Sequence, residues 1–133
     1  MKKSTRWKQK LEDLFIAFKL LTLAVSSDHK MNILEQEGMV NRFENIFKLA
    51  CAAMKDFLEE KGIMETSSHL DVIESAFKAG YIAEEQRWID MLNAFNDTSQ
   101  QYDKETLKTL IMQIKSEFYQ EIRQFVFFLN GKF

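Results

Sequence analysis

The chain has no proline, four glycines that each stand alone (Gly38, Gly62, Gly80 and Gly131), one cysteine and two histidines. Each shortage excludes something. Without proline, nothing fixes φ or removes a backbone donor inside an element, so helical pattern can run unbroken. Isolated glycines supply no glycine-rich phosphate loop. A lone Cys51 precludes an internal disulfide and fits a reducing compartment, which points to the cytoplasm. His29 and His69 have no second His or Cys at ligand spacing, so no zinc site is expected. Asp71 and Glu74, close to His69, read instead as acids in an early helix turn, where they complement the dipole. No serine has a histidine at a plausible relay position in sequence. No cofactor is expected.

Long apolar runs are missing too. LEDLFIAFKLLTLAV carries Glu12, Asp13 and Lys19, unlike the apolar core of a signal peptide, and no run is long enough for a membrane span. With 18 Lys and Arg against 20 Asp and Glu, the net charge of -2 argues against a chain that binds nucleic acid through overall charge. MKKSTRWKQK is the local exception, with five basic residues and no acid. Residues 1–7 read either as a loose basic arm, whose Trp7 would stack on a base, or as a solvated, frayed first helical turn.

What the chain does have is helical periodicity. Leu11, Leu14, Phe15, Phe18, Leu21 and Val25 form one stripe, closed by Ser-Ser-Asp at 26–28, which also offers caps for the next helix. Val40, Phe43, Phe47, Ala50, Met54, Phe57 and Leu58 form a second, ending at Lys61-Gly62. A short helix after Ser67-Ser68 carries Leu70, Ile73, Ala76 and Phe77 and stops at Gly80. Another runs from Ala83 to about Asn96, with Trp88, Met91, Leu92 and Phe95 on one side. The last opens after Asp103, an N-cap, and places Leu107, Leu110, Ile111, Ile114, Phe118, Ile122, Phe125 and Leu129 on one stripe. No segment alternates with period two. The expectation is one domain over residues 1–133, an all-α antiparallel up-and-down helical bundle, four-helix-bundle-like with about five helices.

The end of the last helix is apolar on every side: Phe125, Val126, Phe127, Phe128 and Leu129 follow in a row. Either the core is thick there, or Phe125, Phe127 and Phe128 belong to a second buried surface, in a homodimer or against a partner.

Three segments, RFENIFKLACAAMKDFL (42–58), SHLDVIESAFKAGYI (68–82) and WIDMLNAFNDTSQQYD (88–103), follow one another in a characteristic order. Together they resemble the nucleotidyltransferase substrate-binding proteins, small helical bundles of the HEPN superfamily. That family's stretches read RFE-x-x-FEL-x-WK-x-L, a helix ending AF-x-AG, and W-x-x-ML-x-x-RN-x-x-SH-x-Y. Arg42, Glu44, Trp88 and Asp90 match, whereas Lys48, Cys51 and Ala52 replace the usual glutamate, tryptophan and lysine. The resemblance covers roughly residues 8–130. It implies a bundle that associates with a separate small nucleotidyltransferase, the two together resembling an aminoglycoside nucleotidyltransferase cut in two. In related toxin–antitoxin pairs the helical member is a metal-independent ribonuclease with an Arg-x4-His-x-Tyr motif, silenced when the partner adenylylates the tyrosine.

On that motif the arginine position is Phe95 and the histidine position is Gln100. Phe95 brings no charge to a phosphate, and the Gln100 amide exchanges no proton near neutral pH. Losing both groups costs several powers of ten in rate, so the chain is expected not to be an enzyme. Asn96, Ser99, Gln100 and Tyr102 remain as candidate ligand-binding residues for a nucleotide or RNA, with Tyr102 also a candidate for adenylylation. The bland alternative is that Phe95 joins the core and the rest is solvated loop. Three functions follow: a binding subunit for a nucleotidyltransferase, a degenerate ribonuclease toxin, or a self-associating bundle without ligand.

Overall fold

The computed structural model describes residues 2–27, 29–62, 68–97 and 103–132. Among them there are helices and turns and no strand, in the order α1 (Lys2–Val25), α2 (Ile33–Glu60), α3 (His69–Lys78), α4 (Glu85–Asp97), α5 (Lys104–Gln113), a π-helical turn (Ile114–Phe118) and α6 (Tyr119–Lys132). The last three form one rod, because Gln113, Ile114 and Tyr119 all keep helical φ and ψ. With that rod counted once, the architecture is the all-α bundle of five helices that the periodicity predicts. α1 packs on α2 and α6, α2 on α3 and α5, and α4 on the π turn.

The ends of the helices are set by local chemistry. Ser68 Oγ accepts the Asp71 N–H at 3.2 Å to start α3, and Asp103 Oδ1 accepts the Thr106 N–H at 2.7 Å to start α5. The start of α2 differs from expectation. Its cap is Asn32, not the serines at 26–27, and the helix begins well before the Val40 stripe. Asn32 Oδ1 accepts the Glu35 N–H at 2.8 Å while Glu35 Oε1 accepts the Asn32 N–H at 2.9 Å, a reciprocal capping box. Ile33 and Leu34 stay exposed, so this first turn carries no core pattern and rests on its cap. Ser26 instead closes α1, its hydroxyl donating to the Thr22 carbonyl at 2.6 Å.

Gly80 ends α3 in a left-handed conformation, φ 82°. Its N–H donates to the Phe77 carbonyl at 3.1 Å, and the next N–H, of Tyr81, donates to the Ala76 carbonyl at 2.9 Å. This is a Schellman motif, and it turns Tyr81 back onto the bundle. At the π turn the Tyr119 N–H reaches the Ile114 carbonyl, five residues back. The stripe through Ile114, Phe118 and Ile122 takes two successive four-residue steps. In a straight α-helix these would rotate it by about 80° away from the core. One wider turn absorbs the drift, and all three side chains are fully buried.

The interior is built on aromatic contacts. Phe118 stacks on Phe43 at 5.4 Å between centroids, Phe43 lies 6.1 Å from Phe47, and Phe47 lies 6.3 Å from Trp88 and 5.0 Å from Phe95. On the other side Phe18 stacks on Tyr119 at 5.5 Å. The Tyr119 hydroxyl sits 2.9 Å from Thr22 Oγ1, which already donates to the Phe18 carbonyl and therefore accepts here. Lys10 pairs with Asp56 across α1 and α2.

Two substitutions test these points. Gly80→Ala meets no neighbouring atom but forces a side chain into positive φ, and is expected to cost about 1 kcal/mol or more in urea unfolding. Phe47→Ala removes a fully buried ring and is expected to cost about 3–5 kcal/mol in the same measurement.

Candidate functional site

The last turns of α4 hold the first of the sequence-identified site residues. Phe95 is half-buried against the core, its ring 5.0 Å from Phe47. The His69 ring, from the first turn of α3, meets it edge-on at 5.8 Å and meets Phe47 at 5.9 Å. Lys48 Nζ, from α2, stands 5.9 Å from the centre of the Phe95 ring, within cation–π range. The place that the motif reserves for an arginine is thus an aromatic contact with a lysine and an imidazole at its edges. Asn96 is exposed on the same turn. Ser99, Gln100 and Tyr102 lie outside the described residues.

A second site lies at the other end of α4, and motif reading missed it. The Gly80 turn, Trp88 of α4, and Glu121, Gln124, Phe125 and Phe128 of α6 enclose a cavity of about 410 Å³. That is the size range of small-molecule pockets. Trp88 meets Phe125 edge-on at 5.7 Å, Phe125 stacks on Phe128 at 6.4 Å, and Phe128 lies 5.5 Å from Tyr81. These rings form the walls.

Two polar groups interrupt them. Glu121 is only 7% exposed. Its burial, with the Glu84 charge nearby, pushes its carboxyl above the ordinary glutamate range, and Arg87 pulls weakly the other way. Arg87 is shared with Glu117, at 3.7 Å. Tyr81 is 8% exposed, and its hydroxyl is buried with no hydrogen-bond partner among the described residues. Burial and the Glu60 charge raise its phenol as well. A buried donor without a partner is costly, and this one belongs to a residue of the cavity wall. One signal in the chain marks Glu121: an acid three residues after Phe118 and four before Phe125, on the buried stripe itself.

The apolar C-terminal run divides three ways. Phe125 is a core residue, 1% exposed against Trp88, so within the chain it has no surface to offer a partner. Phe128 is half-buried as a cavity wall. Phe127 alone of the three stands out, 56% exposed beneath the Arg123 guanidinium at 4.8 Å. Cys51 is buried on α2, and its thiol is pushed up to about 12, which leaves it inert as a nucleophile at neutral pH. No helix among the described residues is long and apolar enough to cross a membrane.

Comparison with known proteins agrees with this architecture. A chain in a crystal structure of a mutant of the toxin–antitoxin pair MntA-HpeT superposes with a TM-score of 0.77 over 94% of this chain and 97% of that one, at 11% identity. At that identity the likeness is one of fold. No curated protein matches significantly in sequence. The family model described as nucleotidyltransferase substrate binding protein like matches residues 9–130. Nearly the whole helical bundle, both sites included, falls within that match, and the chain belongs to the nucleotidyltransferase substrate-binding protein-like family.

Proposed function

We propose that the protein is a non-catalytic, cytoplasmic subunit that associates with a separate small nucleotidyltransferase and supplies one wall of its substrate cleft. The cavity between the Gly80 turn and α6 carries this reading: aromatic walls, a buried carboxyl and an unpartnered phenol. It binds and orients through these groups, and the metal and phosphate chemistry belongs to the partner. Within the pair, Tyr102 is the proposed point of adenylylation, with Asn96, Ser99 and Gln100 around it. Phe127 is the proposed centre of the contact that makes a homodimer.

One observation favours a second reading, a ribonuclease of a toxin–antitoxin pair. Lys48 and His69 put a cation and an imidazole beside Phe95, where motif reading expects neither. RNA cleavage by the purified protein that disappears in His69→Ala would establish that reading and displace the first.

The expected result is no cleavage. Native mass spectrometry of the protein purified from its own host is expected to show a complex with a small nucleotidyltransferase, or an AMP adduct on Tyr102. A bare homodimer without either would make the stand-alone bundle the better account. Phe127→Glu is expected to split any homodimer while leaving the helical circular dichroism unchanged.

The cavity is tested through Glu121. Its folded-state carboxyl is raised, so its contribution to stability is present below the ordinary glutamate range and lost as pH rises through the raised value. Glu121→Gln is therefore expected to raise the melting temperature at neutral pH. The gain should fade below about pH 4, where the unfolded-state carboxyl is itself protonated. The same change is expected to weaken substrate binding by the complex, the usual signature of a group kept for function at a cost in stability.

A further inference from the structure

Although the chain is slightly acidic overall, one groove is not. It runs between the α1–α2 connection and the face of α5, with a volume of about 760 Å³. Lys104, Lys108 and Lys115, from the last rod, and Lys30, from the α1–α2 connection, line it together with Ile33 and Ile111. Among the described residues Glu105 is the one carboxylate in the lining. His29, at the rim, is bonded to Glu35 at 2.7 Å, and hydrogen bonds hold that glutamate below its usual range. None of the four lysines makes an ion pair among the described residues. Among the described residues four cations therefore share one groove with one acid, in a chain whose acids outnumber its bases.

We propose that this groove holds the phosphate backbone of a single-stranded nucleic acid without reading its bases. The proposal is independent of the two-subunit reading and concerns a different face from the aromatic cavity. Lys104 to Lys115 spans eleven residues, about 16 Å of helix, which spreads the charge along a line instead of focusing it on one anion. Lysine contributes point charges and no bidentate fork, so it positions phosphates without specifying their geometry. Among the described residues no Phe, Tyr or Trp lines the groove, and both nitrogens of the one ring there, His29, are already bonded, to Ser27 and Glu35, so the groove offers no run of aromatic platforms for successive bases. A protein partner fits less well, because lysine is depleted and aromatic residues and arginine are enriched at the centres of protein interfaces.

The test is fluorescence anisotropy with labelled oligo(U) and oligo(dT) of about 20 nucleotides, on the full chain, beginning near ~50 mM salt. Binding is expected to be similar for the two sequences, with log K falling against log[salt] at a slope of about -3, from four lysines at about 0.7 each. The double variant Lys108→Glu, Lys115→Glu is expected to bind at least about tenfold more weakly, with the slope reduced by about 1.4. Lys108 is exposed and Lys115 is partly so, and unchanged helical circular dichroism confirms that the variant folds. The control Lys2→Gln, Lys3→Gln is expected to bind as the parent does. Absence of binding, a salt-independent constant, a strong preference between the two oligonucleotides, or loss of binding in the control alone would each overturn the proposal. So would binding to polyglutamate without binding to either oligonucleotide, which would assign the groove to an acidic protein.

Discussion

The ring of Phe47, fully buried on α2, touches four others: Phe43 on its own helix, His69 on α3, and Trp88 and Phe95 on α4. Those contacts join three helices at one point, and the aromatic series continues from there. Trp88 meets Phe125, Phe125 meets Phe128, Phe128 meets Tyr81, and Tyr81 returns to α2 at Phe57, 5.5 Å away. The circuit begins and ends on α2, and the cavity lies along it. Its aromatic walls are therefore held by close packing, and the α3–α4 connection from Gly80 to Ala83 completes the lining.

The same hub explains the fate of the motif position at Phe95. An arginine there would present a charge to solvent, whereas a phenylalanine gains area against Phe47 and edge contacts with His69. In this chain the position is a packing contact. The buried polar groups are elsewhere: the Glu121 carboxyl, and the Tyr81 hydroxyl, which has no partner among the described residues. Burying a carboxyl or an unpartnered hydroxyl destabilises a fold, and the presence of both residues in the wall of one cavity separates that cavity from the remainder of the core.

Much of the bundle was legible because helix geometry is local. Ser68, Asp103 and Gly80 mark helix ends by what their own side chains or φ angles do within three residues, and the structure uses all three. The Asn32 cap is equally local, with Glu35 three residues on, but α2 opens without an apolar stripe to mark its start. The π turn was written as a pair of four-residue steps through Ile114, Phe118 and Ile122, an irregularity that is meaningful only against a rod already packed in a core.

The sites were less legible. Tyr81 and Glu121 are forty residues apart, and each is unremarkable in its own segment. Lys30 lies far along the chain from the Lys104–Lys115 stripe with which it lines the groove. By itself the sequence determined helix type, helix order and most helix ends, because these follow from residue identity and a 3.6-residue period. Tertiary structure alone decided which polar groups are buried together, that Phe125 faces inward while Phe127 faces solvent, and that four lysines share a groove. Burial and long-range electrostatics depend on distances between helices, and no period along the chain encodes those distances.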